Sequence, residues 1–338
     1  MSIQAWRTSG KGNLDRVEES LPPLGPNDVR FRVCAISLNF RDKAVIHGGW
    51  GRAPTKGRVP LTDAVGVVTD IGPGVSRFRV GDRVCTTVMP AWIDGPLTGD
   101  GFIGSPGTRT TDGVLATHLQ WHEDTLVHAP AHLTDDEAST LTIAALTAWH
   151  AVVELGAVQA GDTVVVQTTG GVATFAIQFA AALGMRVIVV SRSAKKLAKA
   201  MALGATDVID SLAASDWERE VMRLTQGRGA QLVIDMGLEN GLARSLAATA
   251  PEGTVAIVGV VQTTSHTLDI FAVMNGNLRV RGVETGSRAM FERMNRFLVV
   301  HGLRPAIDRV HGIDAIDEAL ASLESAPFGK VVLSFADA

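Results

Sequence analysis

From residue 163 to residue 258 the chain alternates short apolar runs, rich in valine and isoleucine, with segments of helical pattern. The runs fall at 163–167, 186–190, 207–209, 231–235 and 254–258, and a further strand pattern lies at 278–283. Helical patterns lie between them at 172–183, 194–203, near 215–225 and at 242–250. Strands this uniformly apolar have no face to give to water, so both faces must be covered. Strand–helix alternation supplies the cover, and it predicts a parallel sheet with helices on both sides. Few other folds accept such a pattern.

The rest of the chain has a different texture. Up to about residue 130 it reads as β-rich and punctuated by glycine and proline, with strand patterns at 29–36 and 65–71 and a turn and strand at 79–84. Residues 89–113 are a long irregular stretch rich in Gly, Pro and Thr, and such loops inside a domain are usually functional or mobile. Thr134 with Glu137 three residues on is a capping box opening a helix. The tail reads as helices at 291–301 and 313–323 and a last strand at 330–335. A chain of 338 residues exceeds one ordinary core, so two domains are expected.

Composition removes several function classes. A net charge of −4 offers no basic field to nucleic acid or anionic lipid. No run reaches the ~20 apolar residues of a membrane span, and the first residues show no apolar signal segment, so a cytoplasmic protein is expected. Cys34 and Cys85 stand far apart in strand-like runs and read as two buried thiols. The nine histidines form no His-x-x-His pair, and there is no tyrosine.

The chemistry begins at the first strand–helix turn, Gln167-Thr168-Thr169-Gly170-Gly171-Val172-Ala173. Glycine there lets the backbone approach a pyrophosphate, and the following helix points free N–H groups at its charge. The match to G-x-G-x-x-G is partial: Thr168 and Ala173 stand in for the outer glycines, and Gly170 is the middle one. A tight turn without a ligand would read similarly. The next strand discriminates. About 20 residues after such a loop, an NAD enzyme places an acidic residue on the ribose 2′-hydroxyl. Here the strand ends in Ser191-Arg192-Ser193, with Lys195 and Lys196 behind. A carboxylate would repel a 2′-phosphate, whereas Ser191, Arg192 and Lys196 can bond and neutralise it. NADP(H) is therefore the expected cofactor.

The ordered motifs of the chain resemble those of the medium-chain dehydrogenase/reductase superfamily, and within it the zinc-independent quinone oxidoreductase-like branch. Ser37-Leu38-Asn39-Phe40-Arg41-Asp42 resembles the asparagine-containing motif of quinone reductases and of polyketide enoyl reductase domains. Gly72-Pro73-Gly74-Val75 and Val80-Gly81-Asp82-Arg83-Val84 resemble a GroES-like domain. Ala145-Leu146-Thr147-Ala148-Trp149, Gly170-Gly171-Val172-Ala173 and Phe328-Gly329-Lys330-Val331-Val332 are similar to later family motifs. The resemblance implies an α/β fold: a GroES-like β-barrel catalytic domain (1–130) plus a Rossmann doubly wound parallel sheet (131–285), with 286–338 returning to the catalytic domain. It also implies a homodimer paired through the edge strand at 278–283, whose free N–H and C=O groups can meet a copy of themselves.

Zinc members of the superfamily carry Cys, His and Cys at the catalytic metal. By the surrounding motifs these positions fall at Asn39, about Thr62 and about Ile143, which are not zinc ligands. Asp63 is the one ligand type nearby, and the four-cysteine structural lobe is missing. No metal is expected.

Without a Lewis acid an alkoxide is hard to stabilise, and hydride addition to an electron-poor C=C or a quinone becomes the more natural reaction. It needs a donor for the developing enolate oxygen and a proton source. Asn39 is the first candidate donor, although an asparagine tying down a strand–helix turn has the same signature. Asp42 reads as a helix cap or a partner of Arg41. His47 is a candidate acid on a glycine-rich loop. Trp50, Asp63 and Trp92 are candidate substrate-pocket residues. Thr147, Gly259, Val260, Val261, Ser287, Arg288 and Lys330 are expected near the coenzyme, together with Thr168, Thr169, Gly170, Gly171 and Val172. With no tyrosine in the chain, a tyrosine proton donor is excluded. The expected function is NADPH-dependent reduction of an enone, enal or quinone. Two alternatives stand beside it: a zinc-free alcohol dehydrogenase or carbonyl reductase, and an NADPH-binding sensor or structural protein with little turnover.

Overall fold

The structure, a computed structural model, describes residues 1–49, 52–155, 157–238, 240–259 and 267–335. The chain divides into two units, 1–146 with 285–338, and 147–284. The segment 131–146, expected with the nucleotide-binding part, belongs to the first unit.

The first unit holds two sheets. Strands β1 (Ser2–Thr8) and β2 (Leu14–Ser20) form an antiparallel ribbon. The larger sheet is built from β3 (Asp28–Ser37), β4 (Asp63–Ile71), β5 (Arg83–Thr86), β6 (His118–His122), β7 (Leu126–His128), and two strands of the C-terminal return, Ile307–Gly312 and Lys330–Ser334. The last of these pairs antiparallel with β3, Val332 opposite Ser37. The closing residues of the chain thereby lie beside the 37–42 motif. Phe31, Ile36, Leu61, Leu115 and Val331 are among the buried side chains of the common core. Cys34 and Cys85 are both buried and free.

The second unit is a six-stranded parallel sheet. Its strands are β8 (Thr163–Gln167), β9 (Arg186–Ser191), β10 (Asp207–Asp210), β11 (Ala230–Asp235), β12 (Thr249–Ile257) and β13 (Arg279–Gly282). Their spatial order is β10-β9-β8-β11-β12-β13, so the winding reverses between β8 and β11. This is the doubly wound arrangement of a Rossmann sheet, which binds ligands at that reversal. Val164, Val165, Val166, Ile188, Val233 and Ile234 are fully buried, as apolar strands covered on both faces must be. The expected strands at 163–167 and 231–235 match β8 and β11 to within a residue. No helix among the described residues is long and apolar enough to cross a membrane.

Candidate active site

Five residues of the first unit, Ser37, Asn39, Asp42, Asp63 and Lys330, drawn from three distant stretches of sequence, form a polar and charged cluster. Asp63 is 0% exposed and Lys330 3% exposed. The Lys330 ammonium donates to the Leu38 carbonyl at 2.8 Å and to Asn39 Oδ1 at 2.6 Å, and stands 3.6 Å from Asp63 Oδ2. Ser37 Oγ donates to the same Asp63 oxygen at 3.1 Å. Asp42, also fully buried, accepts the Asn39 backbone N–H at 2.7 Å and so caps the helix Phe40–Ile46. Asn39 is the N-cap residue by position, but its side-chain oxygen is spent on Lys330.

The backbone around Asp63 is held by buried hydroxyls. Thr86 Oγ1 donates to the Thr62 carbonyl and accepts the Ala64 N–H, each at 3.0 Å, and Thr142 Oγ1 donates to the Thr86 carbonyl. Two residues before Asp63, Leu61 sits at φ 69°, a left-handed conformation that is strained for a bulky side chain. Gly107 and Gly113 press against its carbonyl. A Cβ on Gly113 would lie 2.0 Å from that oxygen, so only glycine fits. Residues 141–145 form a π-helical turn, and the Ile143 N–H faces Asp63. Such turns recur at functional sites because they free backbone groups.

Burial governs the ionisation here. It raises the Asp42 carboxyl to about 7, with Arg41 opposing the rise and Asp63 adding to it. Burial raises Asp63 as well, against the pull of Lys330, the Asn39 side chain and Ser37. It lowers Lys330, against the attraction of Asp63 and Asp42. Asn39 Nδ2, Asp42 Oδ1, Asp63 Oδ1 and Thr62 Oγ1 are buried without a partner in hydrogen-bond geometry. Buried groups of this kind call for an explanation such as a catalytic role, a bound water or a bound ion.

A pH dependence follows. The folded-state value for Asp42 lies above the ordinary 3.8, so between about pH 4 and 7 the folded protein holds a proton that the unfolded chain has released. The stability from this group is complete below pH 4 and is lost as pH rises through about 7. Asp42→Asn keeps an acceptor for the Asn39 N–H and carries no charge. Its stability relative to wild type should therefore increase from pH 5 to pH 8, as read from urea midpoints; a constant difference would show that Asp42 is ionised in the fold.

Zinc does not fit these residues. Among the described residues no three His, Cys, Asp or Glu side chains converge as a metal site. Asn39, Thr62 and Ile143 surround Asp63, and an ammonium already neutralises it.

The second unit carries the residues expected at the nucleotide. Thr168 follows β8 at φ 68°, the conformation that the loop's first glycine would take freely. Its N–H donates to the Val190 carbonyl, tying the loop to β9. Gly170 is the N-cap of the helix Gly171–Ala182, and a Cβ built on it would meet nothing within 4 Å. Among the described residues, none crowds this position. Thr169 is buried and Val172 half-buried. At the end of β9, Ser191 and Lys196 are half-buried, and Arg192 is exposed with no ion pair among the described residues. Thr147 is buried in this unit, and Gly259 lies just past β12.

Some expected site residues are engaged elsewhere. Trp92 is buried and its indole N–H donates to the Gly95 carbonyl, so it anchors the irregular loop rather than lining a pocket. Ser287 caps the helix Arg288–His301 by accepting the Met290 N–H. Arg288 pairs with Asp124 at 2.6 Å and lies near Glu292, which leaves it committed within the first unit. Lys330, expected at the coenzyme, is the buried cation of the cluster. His47 is exposed at the end of its helix. Trp50, Val260 and Val261 lie outside the described residues. Ser37 and Thr86 were not anticipated. Ser37 stands within the 37–42 motif, but nothing in the sequence marks Thr86.

Comparison with known proteins agrees with the fold of the two units. Residues 25–131 match the alcohol dehydrogenase GroES-like domain, and residues 171–299 match the zinc-binding dehydrogenase family. A zinc-type alcohol dehydrogenase-like protein of Schizosaccharomyces pombe is 34% identical over 96% of both chains. A solved structure from Sinorhizobium meliloti 1021, assigned provisionally as an alcohol dehydrogenase, superposes with a TM-score of 0.93 at 40% identity over 99% of both chains. An NAD-dependent alcohol dehydrogenase of solved structure shows a TM-score of 0.87 at 31% identity, covering 98% of this chain and 100% of the other. The chain belongs to the medium-chain dehydrogenase/reductase superfamily and is an alcohol dehydrogenase-like oxidoreductase of the NAD(P)-dependent type.

Proposed function

We propose that this protein is a zinc-independent, NADPH-dependent reductase of an enone, enal or quinone, of the quinone oxidoreductase-like branch. The observation that carries the reading is Lys330, an ammonium built into the charged cluster where a metal would otherwise supply positive charge. Bound NADPH would supply hydride to the β-carbon of the acceptor. The loop Thr168–Val172 would hold its pyrophosphate, and Ser191, Arg192 and Lys196 its 2′-phosphate. Asn39 is the least buried member of the cluster and its amide faces Asp63; we assign an amide N–H of this residue as the donor to the enolate oxygen. Lys330 and Asp63 hold the amide in place. Asp42, neutral below about pH 7, is the proton reserve behind it.

The relatives' names favour a second reading, a zinc-free alcohol dehydrogenase or carbonyl reductase. Chelator-treated protein separates the two. NADPH consumption with cyclohexenone or a naphthoquinone supports the first, and NADP reduction by simple alcohols the second. Turnover that appears only on adding zinc would overturn both.

The coenzyme choice rests on Arg192. Arg192→Asp should weaken NADPH roughly 100-fold, the loss of a charge-assisted phosphate contact plus a new repulsion, and leave NADH little changed. Unchanged NADPH affinity in a titration would remove the basis for preferring it. We further place the protein in the cytoplasm, in keeping with two free buried thiols. We also propose a homodimer joined through β13. That strand ends the sheet, and Ile270, Phe271 and Met274 are exposed on the helix Ile270–Asn275 preceding it.

A further inference from the structure

Beneath the nucleotide loop lies a second buried polar network. Gln167, Asp235 and Ser245 are each at most 1% exposed. Gln167 Nε2 donates to Ser245 Oγ at 2.7 Å, and Ser245 Oγ donates to Asp235 Oδ2 at 2.6 Å. The other ends of the chain are also taken. Gln167 Oε1 accepts the Met236 N–H at 3.2 Å, and Asp235 Oδ1 accepts the Gly237 N–H at 2.8 Å.

An amide, a hydroxyl and a carboxylate are costly to bury, and apolar side chains would fill the same space without that cost. What the polar groups add is geometry. Gln167 is the last residue of β8, immediately before Thr168 of the loop, and Asp235 is the last residue of β11. The network therefore bridges the two strands at which the winding reverses. It fixes the Met236–Gly237 turn, where Gly237 is at φ 69°, against the loop. Close by, a Cβ on Gly259 would fall 2.9 Å from the Met236 carbonyl, so β12 is seated on the same turn.

A dinucleotide crosses such a sheet in two halves. The adenosine half, read at the end of β9, lies over β8 to β10. The nicotinamide half must lie over β11 to β13. We infer that Gln167, Ser245 and Asp235 are positioning residues that set the affinity for the nicotinamide half of the coenzyme by holding the turn after β11 in register with the nucleotide loop. The inference rests on the nucleotide-binding reading proposed above.

Calorimetric titration with NADPH and with 2′,5′-ADP, which lacks the nicotinamide half, tests it on the full chain. Asp235→Asn is nearly isosteric but sets two donors against the Ser245 hydroxyl. It should weaken NADPH roughly tenfold, about one hydrogen bond's worth, and leave 2′,5′-ADP within about twofold. Adding Gln167→Glu reverses the direction of the bond chain with every contact satisfied, and should restore NADPH affinity. Ser245→Ala, should Asp235→Asn fail to fold, is expected to show the same split between ligands. Equal weakening of both ligands, or weakening of neither, overturns the inference. Wild-type protein that binds no coenzyme overturns the nucleotide reading along with it. A preference for NADH leaves the same test standing, with NADH and ADP as the pair.

Discussion

Lys330→Met is expected to lower folding stability by about 3–5 kcal/mol, because it strands a buried carboxylate without its counter-charge. The methionine matches the lysine stem, so the loss is electrostatic rather than a matter of volume. Asp63 would keep only the Ser37 hydroxyl and neighbouring dipoles, and Asp42 would also lose a nearby positive charge. The measurement is urea unfolding of purified protein followed by tryptophan fluorescence. The double variant Lys330→Met with Asp63→Asn should recover a large part of the loss, since two neutral side chains can share the site. If the single variant falls within about 1 kcal/mol of wild type, the cluster is solvated in solution and the electrostatic account of the site is wrong.

Gly113→Ala should cost about 3 kcal/mol, the upper end of the range for overpacking. The added carbon would lie 2.0 Å from the Leu61 oxygen, 2.6 Å from the Pro60 oxygen and 2.8 Å from the Gly107 Cα, and all three are backbone atoms. None can swing aside as a flexible side chain would. The segment 107–113 must lift away from Leu61, and the strained Leu61–Asp63 stretch relaxes with it. Turnover should fall more than coenzyme affinity, because the nucleotide elements lie in the other unit. Gly95→Ala is the control. It lies in the same irregular stretch at φ 72° with open space around it, and should cost only about 1 kcal/mol of backbone strain. Equal losses in the two variants would show that crowding at Leu61 is not what fixes the loop.

The Rossmann unit was legible because its signals are local. β8, the turn at Thr168–Gly170 and the helix after it follow one another within 20 residues, and each carries its own periodicity. The charged cluster was legible only in pieces. Asn39, Asp42, Asp63 and Lys330 could each be singled out, but nothing in composition or spacing puts residue 330 beside residue 39. That contact depends on the pairing of Lys330–Ser334 with β3. The run 141–154 hid its π-helical turns because most of its positions are buried, polar Thr142, Thr147 and His150 included, which leaves no clear period to read. Trp92 misled for a simpler reason. A tryptophan in a glycine-rich loop looks available for ligand contact until its N–H is seen bonded to Gly95.

The origin of Lys330 in the closing segment constrains how the protein can be made. Residues 147–284 are continuous and can collapse as soon as they emerge from the ribosome. The N-terminal sheet has no such option: β3 and β4 are synthesised early, yet the partner strand and the cation that balance Asp63 arrive nearly 270 residues after it. Until residues 330–334 are made, Asp63 has no counter-charge to be buried with and stays solvated. The sheet can close only when the final strand is threaded home.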